Sequence, residues 1–370
     1  MSPHNIIMND KSIESNGSSS TTTSTVPAAN HIQIGGRKSK LAVKQSEIVK
    51  QEIETAFPEL SCSILALSTL GDKVQSKPLY SFGGKSLWTK ELEILLLEAV
   101  EPFPKLDLIV HSLKDMPTNL PEEFELGCII KREDPRDAVI MPPNSPYKTL
   151  ADLPPNALVG TSSIRRSAQL LKNYPHLKFE SVRGNVFTRL TKLDTPTETQ
   201  PKFECIILAA AGLIRVGLGD RINQYLDAPD MYYAVGQGAL GVEIRSNDPR
   251  IKSIVSKIEH LPTAYRCLAE RSLMRYLEGG CSVPLGVESF YDESSRKLLL
   301  KAVIVSPDGL KSVEDQIETI INDRNDCEII GKELGDKLIA KGAKEILDLI
   351  DYERINQPPI STPVSEVNSL

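Results

Sequence analysis

From His31 onward, short β-type runs alternate with stretches of helical periodicity. That order constrains the fold strongly, because strands that pair in parallel need a crossover connection, and the usual one is a helix laid on the sheet face. Ile32 to Gly35 reads as a strand. Lys40 to Phe57 reads as a helix, with Leu41, Gln45, Ile48, Val49, Glu52 and Ile53 at helical spacing and the apolar members forming one stripe. Cys62 to Thr69, Leu106 to His111 and Phe124 to Lys131 read as strands, with an apolar helix over Thr89 to Val100. The loop Glu133-Asp134-Pro135-Arg136 makes 131–136 a plausible domain crossing.

A second series follows, with strands at Ala157–Gly160, Lys178–Val182 and Cys205–Ala209 and helices at Ser163–Asn173 and Asn185–Leu193. After the glycine-rich VGQGALGVEIR the character changes. A helix over Thr263–Leu277 ends at Gly279-Gly280, and strand-like runs at Val283–Tyr291, Leu298–Val305 and Val313–Ile321 precede a helix from Cys327 to Ala340. This reads as a small α+β module over about 260–355. The expected class is α/β, and 370 residues predict two or three domains.

Composition excludes several functions. No apolar run approaches the roughly 18 residues a membrane span needs, so no membrane partner is expected. A net charge of -6 argues against nucleic-acid binding through bulk positive charge, so any anion site must come from local clustering. The six cysteines lie far apart without C-x-x-C or C-x-x-H pairing, so no metal site or redox dithiol is signalled and the thiols are read as reduced. The first thirty residues lack a signal-peptide core and an arginine-rich presequence, which points to the cytoplasm. The Ser/Thr run within them reads as a disordered tail.

The chemistry concentrates in four places. Gly160-Thr161-Ser162-Ser163-Ile164-Arg165-Arg166 closes one strand and opens a helix, where backbone N–H groups and the helix dipole favour an anion. Adjacent arginines diverge by about 100° on a helix, so Arg165 and Arg166 are expected to serve different acid groups. Val182-Arg183-Gly184-Asn185 and Arg189 repeat the arrangement, giving four arginines at the rims of neighbouring strands, where open α/β sheets bind ligands. Arginine suits planar carboxylates, although a single arginine usually ends in a surface salt bridge. Asp115, in His111-Ser112-Leu113-Lys114-Asp115-Met116-Pro117, follows a strand and can be aimed into a crevice; among cations it stays an anion, able to stabilise a developing positive charge. An aspartate there is also a common turn former. Gly83 to Lys90, with Lys85 and Trp88, reads as either a lid or a solvated loop. Gly279-Gly280-Cys281 places a thiol on a tight turn, where it is either an attachment point or a small buried side chain.

Read in order, Gly36-Arg37-Lys38-Ser39, HSLKDMPT (111–118), GTSSIRRS (160–167), VRGNVFTRL (182–190), VGQGALGVE (235–243) and GGCSVPLG (279–286) resemble the porphobilinogen deaminase (hydroxymethylbilane synthase) family over about 31–355. The resemblance implies that four porphobilinogen molecules are joined head to tail, with loss of ammonia, into linear hydroxymethylbilane for haem biosynthesis. It also implies a dipyrromethane cofactor in thioether linkage to Cys281. Asp115 would contact pyrrole N–H groups and stabilise the azafulvene cation left when ammonia departs. Lys85, Ser112, Lys114, Thr161, Ser163, Arg165, Arg166, Arg183 and Gly184 would hold the cofactor, and Arg37, Ser39, Arg189, Arg215 and Gln237 the substrate, with Trp88 on the lid. Trp88 stands where many relatives have Phe, Ser81 where bacterial relatives can have Lys, and Asp72 is a weaker candidate than Asp115.

The implied fold has two periplasmic-binding-protein-like domains with mixed sheets, plus a small α+β C-terminal domain. Domain 1 would take 31–131 with a return at 239–256, domain 2 136–232, and the C-terminal domain 260–355, flanked by tails at 1–30 and 356–370. The implied partner is a small molecule and the implied state a monomer. Two rivals remain at this point. A non-catalytic carboxylate-binding sensor would need no cysteine turn, and a cysteine-nucleophile hydrolase would need a partnered histidine.

Overall fold

The structure, a computed structural model, describes residues 30–68, 90–277 and 283–348. Strand β1 (His31–Arg37) buries Ile32 and Ile34 and pairs in parallel with β2 (Ser61–Leu67), from His31 opposite Ser61 to Arg37 opposite Leu67. Between them runs α1 (Lys40–Ala56), opened by Ser39, whose hydroxyl accepts the Ala42 N–H at 3.2 Å. Its buried face is Gln45, Ser46, Val49 and Ile53, while Glu52 is exposed and Leu41 and Ile48 are half-buried. The real stripe is therefore rotated from the expected one, since helical spacing alone does not say which neighbours face the sheet.

The helix α2 (Lys90–Leu97) leads to β3 (Leu108–Ser112), a short 3₁₀ turn at Leu113–Asp115, and β4 (Phe124–Ile129). The first sheet has the order β2-β1-β3-β10-β4, with β10 (Leu240–Arg245) inserted antiparallel between β3 and β4. Helix α6 (Pro249–Val255) packs beside it, its Ile251, Ile254 and Val255 sharing a core with Val242, Val49 and Ile53. The second sheet has the order β7-β6-β8-β5-β9, built from β5 (Asp137–Ile140), β6 (Leu158–Gly160), β7 (Lys178–Glu180), β8 (Cys205–Ala209) and β9 (Gln224–Leu226). Its helices are α3 (Ile164–Asn173), α4 (Val186–Asp194) and α5 (Ala210–Arg215).

Both sheets are mixed, as the resemblance implied, whereas strand–helix alternation alone pointed to parallel ones. β5 and β10 run antiparallel because the chain enters the second sheet and returns to the first by direct crossings instead of a helical crossover. The third sheet, β11 (Leu285–Asp292), β12 (Lys297–Val305) and β13 (Ser312–Ile320), is an antiparallel meander. It packs against α7 (Leu261–Tyr276) and α8 (Arg324–Ala340), followed by the short α9 (Ala343–Asp348).

The crossings are locked together. The Glu133 N–H donates to the Gly238 carbonyl at 3.0 Å. Gly238 has φ +85°, and a Cβ there would lie 2.4 Å from the Glu133 carbonyl oxygen, so only glycine fits this approach. Glu270 of α7 is the hub. It accepts from Arg132 Nη1 at 2.6 Å and Nη2 at 3.0 Å, from the Gly236 N–H at 2.8 Å and from the Ser289 hydroxyl at 2.5 Å. Burial raises the Glu270 pKa, but Arg132 outweighs it and the carboxyl sits below its usual range. One buried carboxylate thus ties both crossings to the third sheet.

Candidate anion-binding site

The parallel strands β1 and β3 end on one edge of the first sheet, and β6 and β8 on one edge of the second. Ligands of open α/β sheets bind at such carboxyl ends. At the first edge, Arg37 closes β1, Ser39 caps α1, and Ser112 closes β3 with its hydroxyl accepting from buried Gln45 Nε2 at 2.8 Å. Lys114 and Asp115 occupy the following 3₁₀ turn, Asp115 exposed and flanked by buried Leu113 and Met116.

At the second edge, Thr161 is buried, its N–H donating to the Glu180 carbonyl and its hydroxyl accepting the Ser163 N–H at 3.2 Å. Ser163 caps α3 without using its side chain. Arg165 and Arg166 follow, each only 6% exposed. They do not serve separate acids within the protein. Arg165 Nη1 donates to Asp137 Oδ2 at 2.7 Å, and Arg166 Nε donates to Asp137 Oδ1 at 2.9 Å. The expectation from helical divergence fails because a long arginine side chain can swing back toward its neighbour's target. Arg165 Nη1 also reaches the Tyr232 carbonyl at 2.6 Å and Arg166 Nη1 the Ile207 carbonyl at 2.9 Å.

Asp137, 0% exposed at the start of β5, also accepts from Gln237 Nε2 at 2.9 Å, and that amide reaches the Pro135 carbonyl at 2.7 Å. Burial opposes the charge on Asp137, yet Arg165 and Arg166 hold its carboxyl well below the usual carboxylate range. Arg165 is pushed down by burial and by Arg166 despite Asp137. Two guanidiniums share one carboxylate, so the acid is over-compensated and the cations under-compensated.

Gly184, with φ +116°, lets the chain turn into α4, whose cap Asn185 accepts the Thr188 N–H at 3.0 Å. Arg189 Nε donates to the Gly184 carbonyl at 2.7 Å. Burial, then Arg166 and Arg183, pull Arg189 down to about 10, while Asp115 acts the other way. Lys114 is lowered by burial and by Arg166 and Arg165, with Asp115 and Asp137 opposing. These mutual influences bring Lys114 and Asp115 of the first edge together with Arg165, Arg166, Arg183 and Arg189 of the second. Arg215 stands apart, at the crossing: its Nη2 donates to the Gly238 carbonyl at 2.6 Å, burial takes it down to about 10, and Glu133 is its charged neighbour.

Lys85, Trp88, Cys281, Ser81 and Asp72 lie outside the described residues, as do tail residues 1–29 and 349–370. The five described cysteines are free and buried, and burial raises the thiol pKa of each. Among the described residues no group of acidic, histidine or cysteine side chains could hold a metal, and no helix is long and apolar enough to cross a membrane. Sequence reasoning missed Asp137. The available signal was its place at the head of the apolar run Ala138-Val139-Ile140, where a carboxylate must be paired to be buried.

Comparison with known proteins matches "Porphobilinogen deaminase, dipyromethane cofactor binding domain" over residues 32–253 and "Porphobilinogen deaminase, C-terminal domain" over 264–340. The porphobilinogen deaminase of Candida albicans is 71% identical over 332 residues, covering 90% of this chain and 96% of that protein. That of Debaryomyces hansenii is 67% identical over 348 residues, with 92% and 96% covered. That of Saccharomyces cerevisiae is 58% identical, with 88% and 98% covered. Among solved structures, the periplasmic aliphatic sulphonate binding protein of Escherichia coli is 12% identical with a TM-score of 0.34, over 93% of this chain and 97% of that one, a likeness too slight to bear on function. With both family domains matched in order and close relatives aligned along nearly their whole length, the chain belongs to the porphobilinogen deaminase family.

Proposed function

We propose that the cleft between the two sheet edges holds a polypyrrole carboxylate chain while Asp115 assists each condensation of porphobilinogen into linear hydroxymethylbilane. The supporting observation is the cation cluster. Lys114, Arg165 and Arg189 are each disfavoured as cations by burial and by other cations. Such a group gains from added negative charge, which ligand carboxylates would supply.

The donor set fits dipyrromethane, the family's cofactor. Its acid side chains match arginine and lysine donors, and Gln237 offers a buried Oε1 with no donor among the described residues, an acceptor suited to a pyrrole N–H. Lys114, Thr161, Ser163, Arg165, Arg166, Arg183 and the Gly184 turn would hold it, with Ser112 and Lys85, and Cys281 would anchor it. When bound, it supplies the pyrrole carbon to which the first substrate ring is joined.

The protein's own part is electrostatic. Asp115 accepts pyrrole N–H groups and stabilises the positive charge that develops on the substrate as ammonia leaves, a type of stabilisation worth about 3–4 kcal/mol in a site that excludes water. Arg189 and Arg37 would face incoming carboxylates, with Ser39, Arg215 and Gln237 as further substrate contacts and Trp88 as the lid residue. Because Asp115 is linked electrostatically to Lys114 and Arg189, one from each edge, its environment includes both halves of the cleft.

The domains that follow are 31–131 with 239–256, then 136–232, and a C-terminal unit over 260–355, with 1–30 and 356–370 as tails. The protein works as a cytoplasmic monomer. Incubation with porphobilinogen tests the reading: ammonia and hydroxymethylbilane are expected in a four-to-one ratio, and neither appearing refutes it.

A further inference from the structure

Asp115 sits on a turn whose two sides are held by different parts of the molecule. Upstream, the Leu113 N–H donates to the Ala239 carbonyl at 3.0 Å, and the Met116 N–H closes the turn onto the Leu113 carbonyl at 3.2 Å. Downstream, three successive carbonyls are taken by α7. Arg271 Nη1 donates to Met116 O at 3.0 Å, Arg271 Nη2 to Pro117 O at 2.5 Å, and Arg275 Nη1 to Thr118 O at 3.0 Å. Arg271 is 4% exposed, and Arg275 also donates to Glu328 Oε1 of α8 at 2.5 Å. Residues four apart lie on one helix face, so the two arginines form a single row against the segment.

The same helix ends at Tyr276, and the chain then runs to Cys281. We propose that Arg271 and Arg275 are positioning residues for Asp115: they fasten the Met116–Thr118 segment to α7, so the helix leading to the anchoring cysteine also fixes the catalytic carboxylate. This rests on the assignment of Asp115 as the group that stabilises the reacting ring.

The choice of side chain supports a geometric role. A planar guanidinium spans two adjacent carbonyls with divergent donors, which a lysine ammonium cannot reproduce with one rigid fork. Misplacing a catalytic group by about 1 Å can cost on the order of 100-fold in rate. Arg271 donates to two successive backbone carbonyls, and these bonds orient the backbone of the turn.

The test uses the full chain with Arg271→Lys, which keeps the charge, and Arg275→Met, at a partly exposed site. Primer loading is read by intact mass, the fold by thermal melt, and kcat and KM with porphobilinogen. Expected are full primer loading, KM within about twofold and kcat lowered roughly 10-fold or more for Arg271→Lys, with a smaller loss for Arg275→Met. The decisive comparison is the cycle with Asp115→Asn. If Arg271 acts through Asp115, Arg271→Lys costs almost nothing further in the Asp115→Asn background, whereas a merely structural role gives losses that multiply. Multiplying losses, unchanged kcat in both single variants, or a kcat loss that follows lost primer or lost fold each overturn the proposal. Asp115→Asn with normal turnover instead removes the reading beneath it.

Discussion

Replacing Asp137 with asparagine would leave Arg165 and Arg166 buried together with no carboxylate between them. Asp137 accepts from Arg165 Nη1 at 2.7 Å, Arg166 Nε at 2.9 Å and Gln237 Nε2 at 2.9 Å, and Arg166 Nη2 lies 2.8 Å from the same Oδ1. An asparagine oxygen can replace part of this, but its NH₂ group would point donors at a guanidinium. Breaking a buried ion pair by removing one partner costs about 3–5 kcal/mol, because the remaining charge stays uncompensated. Here two cations remain, so the upper half of that range is expected. For a domain of roughly 100 residues, each kcal/mol moves the melting temperature by about 4–8 °C. The unfolding transition of the second-sheet domain should therefore fall by well over 10 °C.

A second consequence distinguishes this account from simple loss of packing. Asp137→Asn removes the negative charge competing with ligand carboxylates, so primer loading should stabilise the variant by more than it stabilises the native protein. Urea unfolding of primer-free and primer-loaded protein measures both effects. A primer-free loss under about 1 kcal/mol, or an equal gain from primer in both proteins, would refute the reasoning.

Other substitutions give equally definite outcomes. Asp115→Asn should keep the fold and primer but lower kcat by about 100-fold or more, read in steady-state turnover; near-normal turnover removes the assigned role. Gly238→Ala should destabilise by more than about 1–3 kcal/mol, since φ is +85° and the new Cβ would meet the Glu133 carbonyl oxygen at 2.4 Å; a urea midpoint unchanged from native contradicts this. His260 caps α7 by accepting the Thr263 N–H at 3.3 Å, and burial followed by Lys131 lowers its pKa below 6.5. The folded state thus binds fewer protons, so this contribution is present above pH 6.5 and is lost as pH falls through the folded pKa. Losing such a cap costs about 0.5–2 kcal/mol. His260→Asn, which caps without titrating, should flatten the stability slope between pH 7.5 and 5, and an unchanged slope argues against it.

Much of the architecture was legible because its signals are local. α1 was read within a residue at its C-terminal end, and β8 and α8 from apolar periodicity and turn residues. What failed to show was non-local. β10 lies in a glycine-rich run that reads as a change of character, and its place between β3 and β4 depends on partners more than a hundred residues away. β5 and β9 were not read either; they pair with each other, and β5 with β8, across some seventy to ninety residues of chain. At the candidate site, the order of motifs pointed to a polycarboxylate ligand, but not to where each guanidinium spends its donors. Arg165 and Arg166 converge on Asp137 because a residue 28 positions away in the chain supplies the missing charge. Cys281, Lys85 and Trp88 lie outside the described residues, so their roles stand on motif resemblance.

The central claim, a polycarboxylate primer carried on Cys281 in a cleft of under-compensated cations, is tested most directly by intact mass under denaturing conditions. The native chain should carry a covalent increment equal to dipyrromethane, and porphobilinogen should add further ring-sized increments to it. Cys281→Ser should show the bare polypeptide mass before and after incubation. A native chain of bare mass, unchanged by porphobilinogen, or an increment that persists in Cys281→Ser, would contradict the account.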